Sequence, residues 1–246
     1  MKFVAVIPAR IGSKRLPGKP LLDIAGQPMI QHVYTRATES KADRVLVATD
    51  DQRIADAVTS FGGECLMTRD DHPTGTDRLA EVADLLALSA DTIVVNVQGD
   101  EPLLPAPVIQ QVVEILEKHP QASIATLCEP IHRASDIEDP NQVKVVKSQS
   151  GRALYFSRAR IPMNSLIGCG VHYRHIGLYA YRAGFLRDFA SLNPTPLEQL
   201  EHLEQLRALE HDRVIQVEVA IESIPPGVDT ESDLEVIRRQ MEDFGV

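Results

Sequence analysis

Short apolar runs alternate with longer segments of helical periodicity through the first half of the chain. The runs KFVAVI, RVLVATD and DTIVVNVQGDEP are rich in β-branched residues, which is typical of strands buried on both faces. Between them, segments such as PMIQHVYTRATES and APVIQQVVEILEKH repeat apolar residues every three or four positions and predict amphipathic helices. This βαβα order predicts an α/β fold of three layers, with a mostly parallel sheet between two layers of helices.

The pattern changes at about residue 140. The segments QVKVVKS, ALYFS and RHIGLYAYR predict short strands, and PLEQLEHLEQLRALEHD predicts one continuous helix. A last strand, VIQVEVA, and a last helix, TESDLEVIRRQMEDF, follow. The sequence contains no repeat, low-complexity segment or clear linker. We therefore predict a single domain over residues 1–246, with a small strand-rich insertion at about 140–215.

Charge and cysteine content narrow the functional classes. A formal net charge of −10 argues against a general nucleic-acid or membrane binder, because both usually need a basic surface. Three cysteines with no CxxC pair indicate reduced thiols. The N-terminal apolar run is too short for a membrane span and predicts a strand. We expect a cytoplasmic protein that contacts neither nucleic acid nor membrane.

Polar motifs follow the predicted strands. In parallel α/β sheets, ligands bind outside the carboxyl ends of the strands. Here those ends are followed by residues 8–19, 48–51, 68–77 and 98–102. We expect the functional site to lie where these four segments meet.

The first of these segments, IPARIGSKRLPGKP, holds four basic residues and no acid: Arg10, Lys14, Arg15 and Lys19. It lacks the third glycine of a GxGxxG fingerprint. Five residues separate Gly12 from Gly18, and Lys19 precedes a proline, so it is not a GxxxxGK[ST] phosphate loop either. A solvated surface loop and a nucleotidyltransferase loop that holds a triphosphate remain, and the crowded positive charge favours the second.

Carboxylates that could bind magnesium follow a later strand. Asp100 and Glu101 end the run VNVQGDEP, and Mg²⁺ usually takes one or two carboxylates with phosphates and water. An adjacent Asp–Glu pair is, however, more often part of a turn. Asp229 is a second candidate, although the pattern alone favours a helix N-cap or turn residue there.

Eight segments carry a resemblance that covers nearly the whole chain. They occur in the order IPARIGSKRLPGKPL, ATDD, MTRDDHPTGTDRLAE, VNVQGDEPL, ALYFSRARIP, RHIGLYAYR, LEQLR and GVDTESDLE. Together they resemble the 3-deoxy-manno-octulosonate cytidylyltransferases, or CMP-Kdo synthetases. The resemblance implies a Rossmann-like nucleotidyltransferase domain, a homodimer and a Mg²⁺ cofactor. It also implies transfer of CMP from CTP to the acid sugar Kdo for lipopolysaccharide biosynthesis, with release of pyrophosphate.

The resemblance also implies roles for individual residues on the nucleotide side. Asp100 and Asp229 would form the metal pair, which reverses the preference stated above for Asp229. Lys19 and Arg10 would stabilise charge at the α-phosphate, and Asp100 would act with them in catalysis. The nucleotide-binding residues implied are Arg10, Ser13, Arg15, Lys19, Arg69, Thr74, Gly75, Thr76, Arg78 and Gln98. No general base is identified.

Sugar contacts are implied for Gln98, Arg158, His175, Tyr179, Glu204 and Gln205. Taken alone, His175 is more often a structural histidine, and either Tyr179 or Tyr181 would lie in the core. Glu204 alone would more often lie on a solvated helix face. The segment MNSLIGCGVHY departs from the family, because it is short and uncharged up to Arg174. A sugar-contacting arginine expected there is absent or replaced, so Arg174 completes the pocket or the sugar is modified.

Three other functions remain open at this point. The same reaction on 8-amino-Kdo differs from the main hypothesis by one substituent, and a sialic acid is a more distant acceptor. A sugar-1-phosphate nucleotidyltransferase would use UTP or GTP and usually has a more glycine-rich opening loop. A catalytically inactive nucleotide-binding protein is expected to have lost Asp100 or Lys19, and both are present.

Overall fold

A mixed β-sheet forms the centre of the computed structural model, which describes residues 3–13, 15–163 and 172–243. Its strands run in the spatial order β11-β7-β10-β6-β1-β4-β5, with β8 paired to β10 and β9 paired to β8. A separate small hairpin joins β2 and β3. The strands are Phe3–Ala9 (β1), Asp23–Ile24 (β2), Gln27–Pro28 (β3), Arg44–Thr49 (β4), Cys65–Met67 (β5), Ile93–Asn96 (β6), Ile124–Pro130 (β7), Lys144–Lys147 (β8), Ala153–Ser157 (β9), Tyr173–Arg182 (β10) and Ile215–Val219 (β11).

Helices connect most of the strands, and a 3₁₀ turn at Lys19–Leu21 follows the opening loop. The α-helices are Met29–Glu39 (α1), Gln52–Ser60 (α2), Gly75–Leu85 (α3), Ala106–Lys118 (α4), Ala134–Glu138 (α5), Ala183–Ser191 (α6), Pro196–Glu201 (α7), Gln205–Glu210 (α8) and Glu231–Asp243 (α9).

The sheet is mostly parallel, as predicted. β1 lies parallel to β4 and β6, β4 parallel to β5, and β7 parallel to β11. The exception is β10, which lies antiparallel between β6 and β7. This strand belongs to the predicted insertion, so that segment supplies a central part of the sheet as well as its outer hairpin.

Alternate residues of β1 pack into two different apolar cores, one on each face of the sheet. The sheet therefore forms the middle layer between two layers of helices. Phe3, Ala5 and Ile7 face a cluster that contains α1, α2 and α4. Val4 and Val6 face the opposite cluster, which contains α3, α6 and α8. Because both faces of the strand are buried, its sequence is a continuous apolar run without polar alternation.

A third apolar cluster attaches the last helix to the opening loop. Leu16 lies in the basic loop, and Val228 lies just before α9; both are buried in this cluster. The other buried members are Ile24, Met29, Leu234, Ile237 and Met241. The cluster therefore brings the chain before α9 close to the loop after β1, although more than 200 residues separate them in sequence.

The predicted continuous helix over 196–212 is wrong, because it is two short helices. His202 adopts a left-handed conformation with φ of 53°, and the Leu203 N–H bonds the carbonyl of Glu198. This closure ends α7 and buries Leu203 in the core. The break also turns Glu204 towards the interior instead of leaving it on a solvated helix face.

Some expectations fall partly outside the described residues. Cys169 and residues 164–171 of the divergent segment are among those that the structure does not describe. Within the described ranges, Cys65 and Cys128 are free thiols. No described helix combines the length and apolar character needed to cross a bilayer.

We predict that Lys144→Met will destabilise the fold, whereas Lys147→Met on the same strand will do so much less. Lys144 is fully buried, and its Nζ donates to the carbonyls of Asp139 at 2.8 Å and Arg158 at 2.6 Å. Removing both bonds should lower the free energy of unfolding by about 2 to 4 kcal/mol. The Lys147 Nζ lies 5.2 Å from the centre of the Tyr173 ring, a contact worth about 1 kcal/mol or less.

Urea denaturation of both variants checks this prediction. Equal midpoints for the two methionine variants would show that the buried amine does not hold these carbonyls in place.

Candidate active site

Two adjoining cavities open at the carboxyl edge of β1 and β6. The larger has a volume of about 470 Å³ and is lined by the basic loop, the turn before α3, residues 98–100 and Asp229. The smaller has a volume of about 180 Å³ and is lined by parts of β6, β10, α3 and α8. Gly75 and Gln98 line both cavities, so a ligand in one can touch a ligand in the other.

The basic loop is shaped by its own backbone before any ligand is considered. The Gly18 N–H donates to the Ile11 carbonyl at 3.2 Å, and Gly18 has a positive φ of 71° that favours glycine. The Ser13 Oγ accepts the Leu16 N–H at 3.2 Å. The Arg10 guanidinium donates to the carbonyls of His72 at 2.5 Å and Thr74 at 3.3 Å. Arg10 thus links the loop after β1 to the turn before α3.

Lys19 lies at the point where three distant segments meet. Its Nζ is 2.7 Å from Asp100 Oδ2 and 3.3 Å from Asp229 Oδ1, and it donates to the Val228 carbonyl at 2.7 Å. Arg15 forms a further ion pair with Asp229 Oδ1 at 3.0 Å. The two predicted metal-binding carboxylates therefore converge on one position, and two cations of the basic loop neutralise them.

Asp229 does not cap the last helix. The backbone N–H groups of Asp229 and Thr230 donate to Asp233 Oδ2 at 3.0 and 2.8 Å, and the Asp233 N–H donates to Thr230 Oγ1 at 3.3 Å. Thr230 and Asp233 thus satisfy the start of α9 between them. The Asp229 carboxylate points instead to Lys19 and Arg15, so the interpretation as an N-cap is wrong.

The segment before Asp229 packs closely against the segment after β6. The Val228 N–H donates to the Asp100 carbonyl at 2.8 Å, and a Cβ added at Gly227 would lie 3.2 Å from the same oxygen. The contacts of Gly227 and Val228 fix the position of Asp229 relative to Asp100. Earlier in the same segment, the Ile224 N–H donates to Glu129 Oε1 at 2.7 Å.

Arg174 lies away from both cavities. It pairs with Glu129 Oε2 at 2.6 Å and donates to the Ile224 carbonyl at 3.1 Å. Arg174 is not among the described residues that line the smaller cavity. The suggestion that it replaces the missing sugar-contacting arginine therefore finds no support in its contacts.

Glu101 contributes little charge beside Asp100. Burial, reinforced by the Asp100 carboxylate, raises the pKa of Glu101 to about 8. None of the described residues hydrogen-bonds its buried Oε2. The carboxyl group is consequently protonated in most molecules at neutral pH, which leaves Asp100 as the charged member of the predicted Asp–Glu pair.

The donor set at this point fits a magnesium ion that is shared with substrate phosphates. Two carboxylates within reach of one ammonium group are the hard oxygen ligands that Mg²⁺ prefers. Among the described residues, no group of three or more His, Cys, Asp or Glu side chains could hold a metal. A cation would therefore need phosphate and water oxygens to complete its coordination.

Two residues predicted to bind the nucleotide lie off the cavity walls. Arg78 is fully buried, where it pairs with Asp50 at 2.6 Å and hydrogen-bonds Thr68. Its pKa is lowered mainly by burial. Arg69 pairs with Asp71 at 3.1 Å on the exposed side of the same turn. The contacts of Arg78 indicate that it holds the turn before α3 in place. A nucleotide-binding role for Arg78 or Arg69 stays a prediction.

The smaller cavity brings together residues predicted for the sugar and residues that the prediction omitted. Tyr179, Glu204, Gln205 and Gln98 line it as expected for neighbours of a sugar. Burial raises the pKa of Glu204, whose Oε1 accepts the Thr74 hydroxyl at 2.7 Å. The walls also include Thr76, which was predicted for the nucleotide, together with Asn96, Tyr181 and Phe189, for which no sugar contact was predicted. For Asn96, the signal in the sequence was a polar residue within the apolar run TIVVNV.

His175 and Arg158 have structural surroundings instead. The His175 ring lies between Phe156 and Tyr179, with centroid distances of 4.9 and 5.3 Å, and its Nε2 is 3.0 Å from Thr126 Oγ1. Arg158 donates to the backbone carbonyls of Glu201, Pro140 and His202. Neither is among the described lining residues of the smaller cavity, so their sugar contacts stay a prediction.

We predict that His175 makes the fold acid-sensitive. Burial lowers the pKa of His175 to about 3, well below the value of about 6.5 expected in the unfolded chain. The unfolded state therefore binds a proton that the folded state excludes, and the free energy of unfolding falls as pH drops from about 6.5 towards 3. The slope for this group approaches at most about 1.4 kcal/mol per pH unit.

Urea denaturation at pH 7 and pH 5 measures this effect. His175→Gln should lose less stability than the wild type over this range, whereas the exposed control His132→Gln should match the wild type. Parallel losses in wild type and His175→Gln would contradict the assignment of a neutral, partly buried imidazole.

Comparisons with known proteins agree with this geometry. A sequence profile of the cytidylyltransferase family matches residues 4–217. The 3-deoxy-manno-octulosonate cytidylyltransferase of Hahella chejuensis is 59% identical over 97% of each chain. The protein of the same name from Pseudomonas fluorescens is 57% identical over 98% of each chain.

Solved structures extend the comparison to three dimensions. The structure of CMP:2-keto-3-deoxy-manno-octonic acid synthetase complexed with CTP superposes with a TM-score of 0.92. It is 46% identical, and the match covers 99% of this chain and 100% of that one. A putative glucose-1-phosphate thymidylyltransferase from Bacillus anthracis shares the fold, with a TM-score of 0.65 at 16% identity over 99% and 96% of the two chains.

Proposed function

This chain belongs to the family of 3-deoxy-manno-octulosonate cytidylyltransferases, and we propose that it transfers CMP from CTP to Kdo. The products are CMP-Kdo and pyrophosphate. The observation that carries the proposal is the pair of joined cavities, one bordered by cations and paired aspartates and the other by hydrogen-bonding side chains. The first suits a nucleoside triphosphate and the second suits a polyhydroxylated sugar.

The larger cavity would hold the triphosphate. Arg10, Arg15 and Lys19 line it, and the Ser13 region adds backbone groups of the same loop. Guanidinium groups match phosphate oxygens in pairs, and an ammonium group supplies a compact charge. Because nucleotidyl transfer depends chiefly on positioning and electrostatic stabilisation, these fixed cations can supply most of the catalysis.

Lys19 is the residue best placed to act at the reacting phosphate. It is held by Asp100, Asp229 and the Val228 carbonyl, so its ammonium group is positioned before substrate binds. A positioned cation stabilises charge that develops on phosphate oxygens without reorganising during the reaction. Arg10, anchored to the turn before α3, would act from the opposite side of the cavity.

Asp100 and Asp229 would hold Mg²⁺ together with the triphosphate. When bound, the ion supplies positive charge for the phosphates and lowers the pKa of a sugar hydroxyl that it contacts. The role of the chain is to keep the two carboxylates convergent through the contacts of Gly227 and Val228 with Asp100.

The smaller cavity would orient the sugar next to the triphosphate. Gln98 borders both cavities, and its Nε2 donates to the Gly177 carbonyl at 3.1 Å, which fixes the amide between them. Tyr179, Glu204 and Gln205 would contact the sugar. Burial raises the pKa of Glu204 above its usual value, and its Oε1 accepts the Thr74 hydroxyl beside the cavity.

An amino-substituted Kdo is the second candidate acceptor. The observation that favours it is the Glu204 carboxyl group in a cavity whose described lining includes no Lys or Arg. A carboxylate would bind an ammonium substituent more strongly than a hydroxyl.

A homodimer is a further proposal from the family resemblance, and light scattering in solution tests it.

Pyrophosphate release tests the proposed function directly. The assay combines each of the four nucleoside triphosphates with Kdo or 8-amino-Kdo, with and without Mg²⁺. We expect Mg²⁺-dependent release with CTP and Kdo. A higher kcat/KM with 8-amino-Kdo would transfer the assignment to the modified sugar, and greater activity with UTP would refute the cytidylyl assignment.

Lys19→Ala should lower kcat/KM by about 100-fold or more, which corresponds to roughly 3 kcal/mol of transition-state stabilisation. The loss follows from removing a fixed cation beside the phosphates. Lys118→Ala is the matched control, because this exposed lysine lies at the end of α4 and pairs with Glu114. Wild-type kinetics in Lys19→Ala would remove this residue from the catalytic proposal.

Asp100→Asn and Asp229→Asn should each weaken Mg²⁺ binding in the presence of CTP and remove most turnover. Each change takes away one of two negative ligands while keeping the shape of the side chain. Calorimetric titration of Mg²⁺ into the CTP complex gives a readout besides activity. Unchanged Mg²⁺ affinity in either variant would contradict the proposed metal pair.

A further inference from the structure

Two glutamine side chains of equal burial differ in a way that points to a ligand. Gln111 and Gln205 are each 7% exposed. Gln111 uses both ends of its amide, since Nε2 donates to the Val219 carbonyl at 2.8 Å and Oε1 accepts the Ile221 N–H at 3.1 Å. Gln205 leaves its buried Nε2 without a partner among the described residues. Because an unpaired buried donor costs free energy, this amide group is available to hydrogen-bond a ligand.

Asn96 lines the same cavity, and its unpaired group is a hydrogen-bond acceptor instead of a donor. It is 4% exposed at the end of β6, and within the part of the chain that the structure describes its Oδ1 has no hydrogen-bond partner. The side chains of Asn96 and Thr76 lie beside the Tyr181 hydroxyl and act to lower its pKa. The free oxygen of Asn96 remains as an acceptor.

Two residues that line the cavity thus carry one unpaired donor and one unpaired acceptor. A sugar hydroxyl can donate one hydrogen bond and accept another, so it satisfies both requirements. Other unpartnered buried atoms, such as Arg78 Nε and Arg182 Nε, do not belong to residues that line either cavity. The coincidence of a donor and an acceptor at this cavity is therefore a feature of the site.

The other walls suit the carbon skeleton of a sugar. Tyr179 and Tyr181 are stacked with centroids 5.7 Å apart, and Phe189 also lines the cavity. Asn96 and Tyr179 are direct partners in the β6–β10 ladder, so their positions are fixed relative to each other. Aromatic faces with a few fixed polar groups are typical of sites that orient a small polar ligand.

We propose that Asn96 is a specificity-determining residue that, with Gln205, binds one hydroxyl group of the acceptor sugar. The inference rests on the proposed function. It adds a residue of the central sheet to the sugar site. A sugar without this hydroxyl would leave two buried polar atoms unpaired, and sites of this kind reject such analogues strongly.

Kinetics with Kdo and a series of Kdo analogues, each lacking one hydroxyl group, tests the inference. In the wild type we expect one analogue to lose about 10- to 100-fold in kcat/KM. Asn96→Leu, which is similar in size but cannot hydrogen-bond, should lower kcat/KM for Kdo by a comparable factor. The same variant should no longer distinguish Kdo from that analogue, and its KM for CTP should stay within about two-fold.

Gln111→Leu is the matched control, because it removes an equally buried amide far from the cavity. It should lower stability without changing the discrimination between the sugars. Should Asn96→Leu fail to fold, Asn96→Ser keeps a small hydroxyl that can accept a hydrogen bond and should retain part of the discrimination.

The possible failures are distinguishable. Absence of pyrophosphate release by the wild type with both Kdo and 8-amino-Kdo would refute the proposed function and this inference with it. Wild-type activity combined with full hydroxyl discrimination in Asn96→Leu would refute the role of Asn96 alone. An equal loss for Kdo and every analogue would also refute it, because that result indicates a structural residue.

Discussion

The ion-pair cluster around Lys19 joins three parts of the chain that are far apart in sequence. One ammonium group contacts the carboxylates of Asp100 and Asp229 and the carbonyl of Val228. Without that cation, two carboxylates aimed at one position would repel each other. The same contacts hold Lys19 in the wall of the larger cavity, at the position that we propose for catalysis.

The fold supports this cluster from two directions. Parallel strands β1 and β6 bring the basic loop and Asp100 to one edge of the sheet. The apolar cluster that contains Leu16 and Val228 then holds the last helix against that loop. Burial of apolar surface fixes elements with a precision that exposed ion pairs alone do not achieve. The positions of the charged groups at the cavity therefore depend on apolar packing outside the cavity.

The sequence was sufficient for the layers and for three of the four segments expected at the larger cavity, since residues 48–51 are not among its described lining residues. It was not sufficient for the details of the smaller cavity. Continuous apolar runs identify strands buried on both faces, and the basic loop follows the first of them. The break at His202, by contrast, depends on packing of Leu203 in the core, which no local pattern of PLEQLEHLEQLRALEHD reveals. Buried Arg78 and the Arg174–Glu129 pair were likewise invisible, because their partners are distant in sequence.

The antiparallel placement of β10 has a consequence for how such proteins diversify. The cavity proposed for the triphosphate is made from loops that follow parallel strands, whereas the cavity proposed for the sugar is made largely from β10, α8 and one face of β6. Under that proposal, substitutions on β10 or α8 can alter the preferred acceptor while the larger cavity keeps its geometry. Evolution or protein engineering could exchange the residues of the smaller cavity while keeping Gln98, which lines both cavities.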